Sequence, residues 1–181
     1  MALTLNGSAN TIGGLAVGGL PNGIVDTDMI AAAAVTDVKR GAHGILQVVS
    51  AEHSTANSVA SLSYGASGLT VNITPAHTSN KIIVITQSPM WISEEPGTDS
   101  QGYVQLLRDS TEIANSVYGG HTGNGSRSDT WATVSFLQLD SPSTTSQVTY
   151  SISHRTGNTG WSGTHCHSSN VATILCMEIK G

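Results

Sequence analysis

The densest group of ligating side chains in the sequence is His165-Cys166-His167. In a β-strand, residues two apart project to the same face. The spacing therefore predicts that both imidazoles point one way and the Cys166 thiol the other. Two neutral imidazoles per chain suit a transition metal, and three chains about a threefold axis would offer six nitrogens, enough for octahedral coordination. The flanking Gly160-Trp161-Ser162-Gly163-Thr164 and Ser168-Ser169-Asn170 leave a second reading open, in which both histidines occupy a solvent-facing loop. His165 and His167 are thus the candidate metal ligands, and no other cofactor is expected. The seven histidines (His43, His53, His77, His121, His154, His165 and His167) are spread along the chain. They read as surface or edge residues rather than one pH-sensitive group.

Aromatic residues give a second set. Trp91, Tyr118, His121 and Trp161 fall in or beside predicted loops. Exposed rings are flat apolar platforms for sugar faces, and they are enriched at binding hot spots. These four are the candidate receptor-binding or ligand-binding residues. Packing at the sandwich ends or in a subunit interface is the alternative for Trp91 and Trp161. Glu94, Glu95 and Asp99 bring three carboxylates into the loop after Trp91. They lack the regular alternating spacing of recognised Ca²⁺ loops, and glycoside cleavage needs two acids at a defined separation. The sequence contains no nucleophile motif, Gly-rich phosphate loop or metalloprotease helix, so it reads as a non-enzyme.

The elements that must position these residues begin with a composition break near Gly41. Residues 1–40 are Gly- and Ala-rich and contain no aromatic residue. Ile12-Gly13-Gly14-Leu15-Ala16 is echoed by Val17-Gly18-Gly19-Leu20-Pro21, and Ile24-Val25-Asp26-Thr27-Asp28 loosely by Ala34-Val35-Thr36-Asp37-Val38. Such a segment has too little apolar side chain to offset the ordering of its glycines, and suits intertwined or stacked copies. Residues 1–43 are therefore expected to be an extended stem, with a short helix capped by Asp26 or Thr27 and running through Met29 and Ile30 toward Gly41. Leu3, Leu5, Ile12, Leu15, Val17, Leu20, Ile24, Val25, Met29 and Ile30 are the candidate anchoring and oligomerisation residues.

From residue 44 the apolar period changes to two. Strands are expected at 45–49, 69–74, 81–86, 102–107, 113–118, 131–139, 148–154 and 171–179, with Arg108-Asp109-Ser110-Thr111 as a hairpin turn. The apolar run 81–86 predicts a strand buried on both faces, whereas 148–154 alternates as though one face were wet. About eight antiparallel strands in residues 44–181 predict an all-β sandwich of jelly-roll type.

Bulk properties narrow the function. Charged residues make up 10% of the 181-residue chain and the net charge is −5, with seven scattered Lys and Arg. Nucleic acid is not an expected partner, because phosphate binding needs clustered positive charge. No apolar stretch approaches the roughly 20 residues that span a bilayer, and the start lacks the pattern of a signal peptide, so synthesis in a cytoplasm without membrane insertion is expected. Cys166 and Cys176 carry no disulfide-framework spacing and are expected to be reduced and structural, with Cys176 packed in a strand.

Met1-Ala2-Leu3-Thr4-Leu5-Asn6-Gly7-Ser8 and Gly18-Gly19-Leu20-Pro21-Asn22-Gly23-Ile24-Val25-Asp26 resemble small fibre and appendage proteins of tailed bacteriophages, particularly aquatic ones. The resemblance continues in Ile45-Leu46-Gln47-Val48-Val49, Gly68-Leu69-Thr70-Val71-Asn72-Ile73-Thr74-Pro75 and Val104-Gln105-Leu106-Leu107-Arg108. It ends in Leu139-Asp140-Ser141-Pro142 and Met177-Glu178-Ile179. It implies a virion component, assembled in the host cytoplasm as a homotrimer. The N-terminal segment would join other virion proteins, and the β-rich head would meet a host-surface glycan or protein. It also implies that His-x-His can hold a metal at a fibre tip. A capsid decoration or cement protein is the alternative.

Overall fold

In a computed structural model of the chain, residues 4–6, 11–13, 44–93, 101–118 and 129–181 are described. The chain divides into two compact units, Met1–Gly41 and Ala42–Gly181. In the first unit, β1 (Thr4–Asn6) pairs antiparallel with β2 (Thr11–Gly13), placing Leu5 opposite Ile12. The start of the expected stem thus carries a two-stranded antiparallel pair. The helix toward Gly41 lies outside the described residues, as do Leu3, Leu15, Val17, Leu20, Ile24, Val25, Met29 and Ile30.

The second unit is an antiparallel β-sandwich of β3 (Ile45–His53), β4 (Asn57–Val59), β5 (Gly65–Ile73), β6 (Lys81–Ser93), β7 (Gly102–Arg108), β8 (Thr111–Tyr118), β9 (Thr130–Asp140), β10 (Val148–Thr156), β11 (Ser162–His165) and β12 (Ala172–Ile179). One sheet has the order β5-β10-β7-β8. In the other, β6 pairs with β9 on one side, and on its second side with β12 and then β11. Strand β3 continues the sheet beyond β12, and β4 continues it beyond β11. Counting the eight long strands in chain order, the sheets run first-eighth-third-sixth and second-seventh-fourth-fifth. That is the order of a jelly roll, two Greek keys closed into a double sheet. The short strands β4 and β11 were not expected from the sequence.

Alternation explains the core. Ile82, Val84, Met90 and Ile92 of β6 face inward with Val134 and Phe136 of β9 and Ile174 and Cys176 of β12. Leu69, Val71 and Ile73 of β5, Val104 and Leu106 of β7, and Tyr150 and Ile152 of β10 meet them from the opposite sheet. Two polar groups inside the sandwich are fully partnered. Asp140 accepts two hydrogen bonds from Arg108 Nη1, at 2.7 and 2.9 Å, and one from the Tyr150 hydroxyl at 2.6 Å. This network ties β7, β9 and β10 together across the sheets. Glu178 accepts from Asn80 Nδ2, Gln47 Nε2 and the Ala76 N–H, at 2.6, 2.5 and 2.8 Å. Gly68 has a left-handed φ of 89°, and a Cβ there would lie 2.5 Å from the His53 ring, so it meets two demands that favour glycine.

The two outer faces differ. On the β5-β10-β7-β8 sheet the outer face is mostly hydroxyl and amide: Thr149 bonds Asn72, Gln105 bonds Ser153, and the Arg155 guanidinium lies 3.8 Å from the centre of the Tyr103 ring. Strand β10 alternates as expected, with Tyr150 and Ile152 buried and Thr149, Ser151 and Arg155 part-exposed on the polar face, where Ser153 alone is buried. A correction applies to β6. Ile83 is half-buried and Ile85 exposed, because no described element covers the outer face of that sheet.

Candidate functional site

Cross-strand register sorts the outer face of the larger sheet into bands. Leu139, Ile83, Met177 and Val48 form one row across β9, β6, β12 and β3, and Leu137, Ile85 and Leu175 form the next, ending at Ser50. Leu137 is 76% exposed, Val48 52% and Leu139 51%. The following row, Ser135, Gln87, Thr173 and Glu52, is polar throughout. Two residues further along β9 and β6 the pairing reaches Thr133 and Pro89, and then Trp131 and Trp91. The face therefore has an apolar end and an aromatic end, about 20 Å apart along β9 at 3.3 Å per residue.

The aromatic end is built by three rings. Trp91 and Trp131 are direct cross-strand partners with ring centres 6.4 Å apart. His167 stacks on Trp91 at 4.4 Å and meets Trp131 edge-on at 5.0 Å. It is delivered by a turn in which Cys166, Ser168 and Ser169 all adopt left-handed φ, at 56°, 57° and 59°. The Cys166 N–H donates to the Pro89 carbonyl at 3.0 Å, fastening that turn to β6. Beside Trp131 lies a shallow pocket of about 160 Å³ lined by Pro89, Met90, Trp131, Ala132, Thr133 and Asn170.

The left-handed Cys166 overturns the expectation that His165 and His167 share a face. His165 pairs with core-facing Met90 and is fully buried, whereas His167 lies on the outer side against Trp91. The strand period of two fails because β11 ends at His165. Inside, His165 stacks on His53 with ring centres 5.9 Å apart and lies 6.2 Å from His154. Among the described residues, no three His, Cys, Asp or Glu side chains converge as a metal site. The buried His154 and His165 correct the reading of the histidines as surface groups. Burial, aided by a neighbouring imidazole in each case, lowers both to about 4. Among the described residues the His154 Nδ1 atom and the Tyr118 hydroxyl have no hydrogen-bond partner, and burial raises the Tyr118 phenol. Both thiols are free and buried, and burial pushes Cys176 up to about 12.

Of the expected binding residues, Trp91 contributes to the surface site. Tyr118 and Trp161 are core residues and cannot meet a ligand from solvent. His121, Glu94, Glu95 and Asp99 lie outside the described residues. Trp131, expected only as a strand residue, supplies the exposed ring of the surface site. The signal was present: Trp131, Leu137 and Leu139 fill the outward phase of a strand whose inward phase already holds Val134 and Phe136. An apolar residue in both phases marks a face that is wanted elsewhere.

These features define an all-β jelly-roll domain carrying a ring-built surface site. No protein-family model matches the chain, and no curated protein matches its sequence. Solved structures with partial likeness include dimeric latent PorU from Porphyromonas gingivalis, at 9% identity and a TM-score of 0.37 over 74% of this chain and 13% of that one. The insecticidal delta-endotoxin Cry8Ea1 from Bacillus thuringiensis matches at 12% and 0.32, over 72% of this chain and 19% of its own. The Gt strain of infectious bursal disease virus matches at 10% and 0.34, over 75% and 38%. The chain spans well under half the length of each, and likeness at this level carries no functional argument.

Proposed function

We propose that the chain is a non-enzymatic structural subunit of a tailed-phage virion. It forms a homotrimeric fibre or spike, joined to other virion proteins by residues 1–43, and its β-sandwich head meets the host surface. The observation that carries the reading is the apolar end of the larger sheet. Leu137, Leu139, Ile85, Val48 and Met177 form a contiguous outward patch whose charged neighbours, Glu52 and Lys81, lie at its margins. Monomeric soluble proteins rarely leave such a patch open, and a second copy of the same chain is the simplest cover. The resemblance of the N-terminal segment to phage appendages supplies the setting. Three modest sites on one rigid head, repeated around a particle, give avidity without tight single contacts.

Immunogold labelling of particles made from the genome that encodes this chain tests the reading. Label at a tail tip or at discrete projections is expected. Label spread evenly over the shell would replace the fibre with a cement protein, and unlabelled particles would overturn the virion assignment.

A further inference from the structure

We propose that the aromatic end of the outer face binds a neutral pyranose sugar. Trp131 supplies the stacking surface, and Thr133 and Asn170 are the hydrogen-bonding groups at its rim. The proposal names the ligand class for the attachment role above and rests on that reading.

Three independent observations converge here. Trp131 is 53% exposed, yet its ring is held by the edge-on contact with His167, which is itself stacked on Trp91. A large ring presented to solvent in a set orientation is suited to the apolar C–H face of a sugar, with little side-chain freedom left to lose. Second, the turn that carries His167 places three non-glycine residues in the left-handed region within four positions. Each costs roughly 1–2 kcal/mol, and strain of this kind collects where a side chain must be held in place. Third, the pocket beside the ring is small, and its lining among the described residues is uncharged and partly polar. At about 160 Å³ it falls below the range of pockets that enclose drug-sized ligands, and suits a single ring of a chain that runs on across the surface. Thr133 and Asn170 are both exposed and offer a hydroxyl and a carboxamide to sugar hydroxyls. Among the described residues none that lines the pocket is cationic, which suits neutral rather than acidic sugars, whose carboxylates call for Arg or Lys.

The polar row Ser135, Gln87, Thr173 and Glu52 separates this end from the apolar patch assigned to self-association, so both can be occupied together. Intrinsic tryptophan fluorescence of the full-length protein would be titrated with cellohexaose, maltohexaose, laminarihexaose, mannohexaose and chitohexaose, with saturation-transfer NMR on the same samples. A saturable response to at least one is expected. Trp131→Ala should weaken it at least about tenfold, and Leu137→Lys should leave it unchanged. The absence of a saturable response across the panel, or an undiminished NMR response in Trp131→Ala, would overturn the proposal. Sugar binding by a protein that fails to label particles would overturn the virion reading alone. Labelled particles with no sugar response would overturn this site alone.

Discussion

Acidification should unfold this protein through two histidines. His154 and His165 are fully buried, and each is lowered from the usual imidazole value of 6.5 to about 4. Burial is the largest cause for both. The neighbouring His165 ring adds to it for His154, and the His53 ring for His165, partly opposed by a hydrogen bond with Ser67. The unfolded chain therefore takes up protons that the folded chain refuses as pH falls below 6.5. Stability is full above that value, declines between 6.5 and 4, and levels once both states are protonated. A shift of this size is worth about 3 kcal/mol per histidine at about 1.4 kcal/mol per pH unit. Both together, about 6 kcal/mol, fall within the whole stability of a typical domain, about 5–15 kcal/mol. The test is urea unfolding of the head at several pH values between 7.5 and 4.5, with the double variant reporting what carboxylates contribute at the acid end. The midpoint should fall steeply in wild type, and the double variant His154→Gln/His165→Gln should flatten the profile. A wild-type midpoint unchanged from pH 7.5 to 4.5 would refute the reasoning, as would an equal slope in the double variant.

Other substitutions probe separate links. Asp140→Ala strands the Arg108 guanidinium and the Tyr150 hydroxyl, and should cost about 3 kcal/mol in denaturant unfolding. Gly68→Ala combines a left-handed backbone with a Cβ 2.5 Å from the His53 ring, and should lower stability by about 2 kcal/mol or more. Leu137→Lys places a charge on a side chain already 76% exposed. It should leave the unfolding midpoint of the isolated head within about 0.5 kcal/mol while weakening self-association, as read by light scattering.

The fold was legible where the pattern was local. The run Leu69-Thr70-Val71-Asn72-Ile73 alternates, Pro75 and Pro142 follow strand ends, and the Asp109-Ser110 turn joins β7 to β8 as its residue types suggest. Eight long strands are the number a jelly roll needs. The site was less legible, because its geometry hangs on single dihedral angles and on distant pairings. Nothing in His165-Cys166-His167 announces that Cys166 turns left-handed and sends the two imidazoles to opposite sides of the sheet. His154 sits in the inward phase of β10, but its burial depends on β3, β4 and β11 closing over that end of the sandwich. Trp131 was in view as a strand residue, and its role appears once register sets it opposite Trp91. Tyr118 and Trp161 sit beside loops in the sequence, and their burial comes from packing between strands that local pattern does not show.

The most direct test of self-assembly is the sedimentation-equilibrium mass of the full-length chain beside a chain beginning at Gly44. A homotrimer gives three times the chain mass for the full-length protein at every concentration that detection allows, and a lower mass for the shorter chain. A full-length protein that stays monomeric would contradict it.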